Sequence, residues 1–280
     1  MDYAVLRVVC PEELRDVFAA ELGETGFDML LETDDGVEGY IESDLKHTID
    51  LTGVLGRYGA RGNWTYTWDT VQNQNWNEEW EKNYDPIIVD GKCLIKANFH
   101  NVQEEYPYTL EITPKMSFGT GHHATTWLMV SSMLTTDFKQ STVLDAGCGT
   151  GVLAVLAEKL GASVIDAFDV SRHCVENTQE NINANDCKNI RALEGTIGEL
   201  DLQPLYDFIL ANINKNVLLD EMGLYAEKLG PEGTLLLSGF FEEDISDLEV
   251  RAKNLGLIIY SRNSRENWAS LMLTWAKKAT

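Results

Sequence analysis

From residue 141 to residue 273 the chain alternates short apolar runs with amphipathic stretches, and this rhythm limits its possible folds more than any other feature. Val143-Leu144, Val164 to Phe168, Ile190 to Leu193, Phe208 to Leu210 and Thr234 to Leu237 read as strands. Helical spacing of apolar residues runs over Val152 to Leu160, Cys174 to Ala184, Val217 to Leu229 and Ile245 to Leu255. Such alternation implies a parallel sheet covered by helices on both faces, an α/β fold of the Rossmann-like kind. Two last strands, Leu257 to Tyr260 and Trp268 to Leu273, lie close enough to pair as a hairpin.

The N-terminal quarter has a different texture. Tyr3 to Val9 reads as a strand, and Pro11-Glu12-Glu13 opens a helix with Leu14, Val17, Phe18 and Leu22 on one face. Phe27 to Glu32 and Val37 to Ile41 follow as strands around the turn Asp34-Asp35-Gly36. A second helix is expected from Asp44 to about Gly56, and a strand from Trp64 to Trp68. The β-α-β-β-α-β order is that of a small α+β ferredoxin-like domain. The expected organisation is therefore a domain over residues 1–70, a linker helix over 71–85 and the α/β domain over 86–280. Trp76 and Trp80 would share one face of the linker helix, which packs on a neighbouring domain or belongs to the first core. Strands are also expected at Ile87 to Val89, Cys93 to Ile95 and Tyr108 to Ile112.

Charge excludes some functions. Lys and Arg number 22 against 45 Asp and Glu, a net of −23. Residues 1–70 hold 5 basic and 15 acidic side chains, a net of −10. Such a surface repels phosphate backbones and attracts basic partners, so free nucleic acid is not an expected ligand. Plain solubility is the other reading of that charge. No apolar run approaches the roughly 20 residues of a membrane span, and no secretory signal is visible, so a cytoplasmic location is expected. Five cysteines without a Cys-x-x-Cys pair give neither a disulfide framework nor a zinc site. The adjacent His122 and His123 lack the spacing of a helical metalloprotease motif, and no metal site is expected.

The candidate chemistry lies at Asp145-Ala146-Gly147-Cys148-Gly149-Thr150-Gly151, between a buried strand and an amphipathic helix. Gly147, Gly149 and Gly151 permit a tight turn and let a ligand approach the backbone. A dinucleotide loop would need glycine where Val152 stands, and a P-loop would need a Gly-Lys-Ser/Thr run that is absent. No Lys or Arg occurs between Asp145 and Lys159. A loop preceded by an acid and free of cations suits a phosphate-free ligand such as S-adenosyl-L-methionine, which carries a sulfonium. Asp169 ends the next strand, where an acid can hold ribose hydroxyls or cap the following helix. Asn212, just past Phe208 to Leu210, falls at the carboxyl edge where ligands of open α/β sheets gather; a turn role is its bland alternative.

Four stretches carry a resemblance to the class I methyltransferases, and more narrowly to the bacterial PrmA family. They are Trp76 to Pro86, Pro114 to Thr126 (with Phe118-Gly119-Thr120-Gly121), Ala211-Asn212-Ile213 and Asn267-Trp268. With the two-domain layout, the resemblance covers nearly the whole chain. This chain has Lys115 where the family has glycine, and His122-His123-Ala124 where it has Thr-His-Pro. The resemblance implies methyl transfer from S-adenosylmethionine to lysine or N-terminal amines of large-subunit ribosomal protein eleven. It also implies cofactor contacts from Thr126, Gly147, Asp169 and Asn212, with Thr125, Phe118 and Gly119 lining the same pocket. Asp145, Gly149 and Gly151 join that cofactor set through the loop, and Asn212 is the candidate for orienting the amine or the cofactor's amino-acid end. Residues 1–70 would then recognise the basic substrate. A non-catalytic cofactor-binding scaffold and a small-molecule amine methyltransferase are the rival readings.

Overall fold

The computed structural model describes residues 3–23, 25–33, 35–56, 63–71, 85–113 and 123–276. The linker-helix expectation at 71–85 falls almost wholly outside these residues. So do Phe118 and Gly119. The chain divides into two compact units, Met1–Tyr84 and Asp85–Thr280.

In the first unit, β1 (Tyr3–Val9), β2 (Met29–Thr33), β3 (Gly36–Glu42) and β4 (Thr65–Val71) form an antiparallel sheet in the order β2-β3-β1-β4. Leu6 and Val8 point to one face of β1 and bury against Leu14, Phe18 and Leu22 of α1 (Glu12–Gly23). On the other face Arg7 bridges Glu38 at 2.8 Å and Asp69 at 3.0 Å. The single helix expected from Asp44 to Gly56 is two pieces. A 3-10 turn covers Ser43–Thr48, Ile49 is extended, and α2 restarts at Leu51–Leu55. The reason is local: the Asp50 carboxylate accepts from the Gly53 amide at 3.0 Å and starts a new helix by capping it. Leu51 and Leu55 are therefore buried, while Leu45 faces solvent.

The second unit opens with a three-stranded sheet of β5 (Ile87–Val89), β6 (Cys93–Lys96) and β7 (Tyr108–Glu111), in which β6 pairs antiparallel to β5 and parallel to β7. Helix α3 (Ala124–Met133) follows. The main sheet contains β8 (Thr142–Ala146), β9 (Val164–Asp169), β10 (Ile190–Glu194), β11 (Tyr206–Asn212), β12 (Leu229–Phe241), β13 (Leu257–Arg265) and β14 (Trp268–Trp275). Their order is β10-β9-β8-β11-β12-β14-β13. Five strands are parallel, and the β13-β14 hairpin joins with β14 antiparallel to β12. Helices α4 (Val152–Lys159), α5 (Arg172–Ala184), α6 (Lys215–Lys228) and α7 (Ile245–Asn254) connect the strands.

Two apolar cores result, one on each face. Met129, Val130 and Met133 of α3 join Val152 to Ala157 of α4 on one side. Leu218, Met222 and Tyr225 of α6 join Leu248 and Ala252 of α7 on the other. Each fully buried aliphatic side chain contributes about 1.5–3 kcal/mol, so the helices are held to the sheet mainly by these faces rather than by helix propensity.

Register aligns the strand ends that matter. Ala146 of β8 sits opposite Phe168 of β9 and Ala211 of β11, and Asn212 sits opposite Ser238 of β12. The residues that follow these positions, Gly147, Asp169 and Gly239, therefore share one carboxyl edge with Asn212.

Two asparagines fasten the β7 side to this edge, the buried Asn181 of α5 and the half-buried Asn185 that caps its C-terminus. Asn185 accepts from the Glu111 amide at 2.9 Å and donates to its carbonyl at 2.7 Å. Asn181 accepts from the Thr113 amide and donates to the Thr150 carbonyl, both at 2.8 Å. Replacing Asn181 with alanine orphans two backbone groups, each costing about 1–3 kcal/mol when buried. Asn181→Ala is expected to lower unfolding stability by roughly 2–6 kcal/mol; a denaturant titration showing less than about 1 kcal/mol would contradict this role.

Candidate active site

The glycine loop is made by local chemistry and fixed from below. Gly147, Gly149 and Gly151 have φ of 69°, 56° and 75°, a left-handed conformation that side chains disfavour. The amides of Gly147 and Cys148 both donate to the Phe168 carbonyl at 2.9 Å. Thr178 Oγ1 of α5 donates to the Gly149 carbonyl at 3.0 Å. Space is tight as well: a Cβ on Gly147 would lie 2.3 Å from Ile213, and one on Gly151 would lie 2.7 Å from Thr178.

Asp169 closes the loop from the side. Its Oδ2 accepts from the Gly149 amide at 3.0 Å and its Oδ1 accepts from the Ser171 amide at 2.9 Å. The second bond shapes the entry to α5, so the capping and ligand readings of this residue are compatible. A carboxylate has about four lone-pair sites, and two bonds leave acceptor capacity facing the cavity.

That cavity holds about 560 Å³, ordinary for a cofactor-sized ligand. Thr125, Gly147, Gly149, Asp169 and Asn212 line it, together with His123, Phe168, Val170, Ile213 and Trp268. Asn212 is the last residue of β11 and not a loop residue beyond it. Its Nδ2 donates to Thr126 Oγ1 at 3.5 Å, a long bond, while its Oδ1 is buried with no partner among the described residues. An orphaned buried acceptor is costly, and a ligand donor would satisfy it.

Three sequence candidates lie behind the wall rather than on it. Thr126 is fully buried beneath Asn212, and Gly151 packs on Thr178. Asp145 is buried under the loop, where its Oδ2 accepts from the Ala154 amide at 3.0 Å and caps α4. Its part is to hold the loop-helix junction. Burial pushes its carboxyl up to about 7, the Asp169 charge adds to the rise, and the Ala154 bond opposes it.

Sequence reasoning missed other members. His123 caps α3: its Nδ1 accepts from the Thr125 amide at 3.3 Å and lies 2.8 Å from Thr125 Oγ1. The helix start is thus fixed although Ala124 stands where the family has proline. Burial holds the His123 imidazole below its usual range, against a Glu266 carboxylate that pulls the other way. A neutral ring adds no positive charge to a cavity meant for a sulfonium. Trp268 meets His123 edge-on at 4.6 Å and lies against Phe241 at 4.1 Å, forming an aromatic rim. Gly239 makes the close approach possible, since a Cβ there would fall 2.1 Å from the Ile213 carbonyl. Val217, Glu221 and Tyr225 also line the cavity, and their four-residue spacing on α6 was the signal available in the sequence.

S-adenosylmethionine fits these residues. Glycine backbone and Asp169 meet a nucleoside without phosphate, the Asn212 acceptor meets an ammonium or amine donor, and no Lys or Arg among the described residues lines the cavity.

Comparisons with known proteins agree. The family model described as ribosomal protein L11 methyltransferase (PrmA) matches residues 15–276. A ribosomal protein L11 methyltransferase of Porphyromonas gingivalis is 44% identical over 271 residues, covering 94% of this chain and 93% of that protein. One from Bacteroides thetaiotaomicron is 36% identical over 268 residues, covering 95% and 96%. Among solved structures, a ribosomal protein L11 methylase from Lactobacillus delbrueckii subsp. bulgaricus shares the fold. Its TM-score is 0.64 at 24% identity, over 69% of this chain and 99% of that one.

The raised Asp145 carboxyl has a thermodynamic consequence. Between its ordinary value of 3.8 and about 7, the folded state binds more protons than the unfolded state, so this group lowers stability as pH rises through that window. The full effect is on the order of 4 kcal/mol at 1.36 kcal/mol per unit. Asp145→Asn should therefore gain on the wild type progressively from pH 4 to pH 7.5. A stability difference between the two that stays flat with pH would refute the assignment.

Proposed function

The chain belongs to the ribosomal protein L11 methyltransferase (PrmA) family, which are S-adenosylmethionine-dependent protein methyltransferases, and we propose that its substrate is ribosomal protein L11. The amines modified are lysine side chains, the N-terminal amine, or both. The observation that carries this reading is the buried, unpartnered Asn212 Oδ1 beside the glycine loop and the aromatic rim.

The cofactor supplies an electrophilic methyl carbon on a sulfonium. A lysine amine with pKa about 10.4 must lose a proton first, which costs about 4.6 kcal/mol at neutral pH. Desolvation between Trp268 and the loop favours the neutral amine, and the proton departs to water before the substrate seats. Asn212 Oδ1 accepts a remaining N–H and turns the lone pair toward the methyl; such positioning is worth several kcal/mol. The Trp268 ring, which lines the cavity, suits the alkylammonium product, whose charge it stabilises by cation–π attraction. No side chain of the site is assigned as general base.

The N-terminal unit is the substrate-recognition part of this reading, supported by the −10 balance of residues 1–70. Acidic side chains speed encounter with a basic ribosomal protein. The same charge disfavours free nucleic acid, and the place of action is the cytoplasm, where ribosomal proteins are made. No helix among the described residues is long and apolar enough to cross a membrane.

Purified protein with methyl-labelled cofactor is expected to label isolated ribosomal protein L11. Asn212→Ala should lower kcat by roughly 100-fold, the scale seen for one lost polar contact in a transition state. Label entering only small amines, or entering nothing while cofactor binds, would replace this reading by one of its rivals. Removal of residues 1–84 should abolish labelling of the protein yet leave cofactor affinity intact, as measured by calorimetry. A truncated chain that still methylates the ribosomal protein at the full rate would remove the recognition role.

A further inference from the structure

The cavity crosses the carboxyl edge from one face of the sheet to the other. One pole is built on the α3 side by His123, Thr125 and Trp268, and Asn212 reaches toward it through Thr126. The other pole is built on α6, whose Met222 and Tyr225 belong to the opposite core. Asp169 lies on the edge between them.

At the α6 pole much of the wall is apolar. Phe168, Val170, Ile213 and Val217 contribute hydrocarbon surface, and Val170 is 70% exposed although it borders the cavity. Asn214, which also lines it, spends its Oδ1 on the Val217 amide at the start of α6, and Glu221 is the acid of this wall. The Tyr225 hydroxyl, fully buried, donates to Glu221 Oε2 at 2.5 Å and fixes the side chain along the helix. Carboxylate oxygens accept hydrogen bonds, and on a largely hydrocarbon wall a ligand donor is the partner that suits them.

Order along the edge says which part of the ligand arrives there. The reacting end belongs at the Asn212 pole, and the ribose belongs at Asp169. The base must then leave the ribose toward α6, where a flat heterocycle covers Val170 and Val217. We propose that Glu221, positioned by Tyr225, reads the adenine of the cofactor by accepting a hydrogen bond from its exocyclic amine. The assignment rests on the reading that this cavity seats S-adenosylmethionine.

Calorimetric binding to the full chain tests it, using S-adenosylhomocysteine and its deaminated analogue in which plain purine replaces adenine. The wild type should bind the adenine form about tenfold more tightly, the scale of one charge-assisted hydrogen bond. In Glu221→Ala the two ligands should bind alike, with the far-ultraviolet spectrum of the fold unchanged. Should the alanine variant fail to fold, Glu221→Gln keeps the shape without the charge and should narrow the gap to about threefold. Tyr225→Phe should narrow it as well, since the carboxylate loses its anchor. A folded Glu221 variant that keeps the whole tenfold gap overturns the proposal. Asp169→Ala separates this from the underlying reading: it should weaken both ligands equally and leave the gap. If Asp169→Ala weakens neither ligand, the cavity assignment itself falls.

Discussion

The carboxylate of Asp169, shared between the amides of Gly149 and Ser171, is the constraint on which the site depends. It joins the loop after β8 to the turn after β9, so two neighbouring strands present one surface. Without it the left-handed loop residues would have an amide pointing at solvent and no reason to hold their shape. Because both bonds come from backbone, the carboxylate keeps its orientation whether or not a ligand is bound. Preorganisation of this kind lowers the ordering cost of binding.

Around that junction the fold supplies two supports of opposite character. Below the loop lies a polar buried layer in which Thr178 and Asn181 donate to the loop carbonyls and Asp145 accepts from the Ala154 amide. Beside it lie the apolar cores of the two sheet faces, which exclude water from the strand ends. The polar layer specifies geometry and the apolar cores supply stability. Asn212 Oδ1, a buried acceptor without a partner among the described residues, faces the place where the reaction is proposed to occur. A protein tolerates such an atom where a ligand completes it.

Strand-helix alternation and loop glycines made the α/β unit and its cofactor edge legible in the sequence, because both arise from local periodicity and backbone freedom. Asp169, Gly147 and Asn212 were readable for the same reason: each ends a strand, and strand ends of a parallel sheet meet at one edge. Depth was not readable. Whether Asp145 points into the cavity or beneath it depends on which face of β8 it occupies relative to α4, and the same uncertainty covered Thr126. Neighbours across long sequence separations were invisible too, such as Trp268 against His123, or Glu221 and Asp169 on the wall of one cavity. The split of the second helix at Ile49 turned on a single Asx cap at Asp50, which competes with helical periodicity over too few residues to show in a pattern.

A nucleoside sulfonium is proposed to sit at the carboxyl edge on Gly147, Gly149, Asp169 and Asn212. Amide and side-chain NMR of the labelled chain, titrated with S-adenosylhomocysteine, tests this most directly. The largest shifts should fall on the amides of Gly147, Gly149, Val170 and Ile213 and on the Asn212 side-chain NH₂. Shifts that cluster elsewhere in residues 85–276, with these five signals unmoved at saturation, would contradict it.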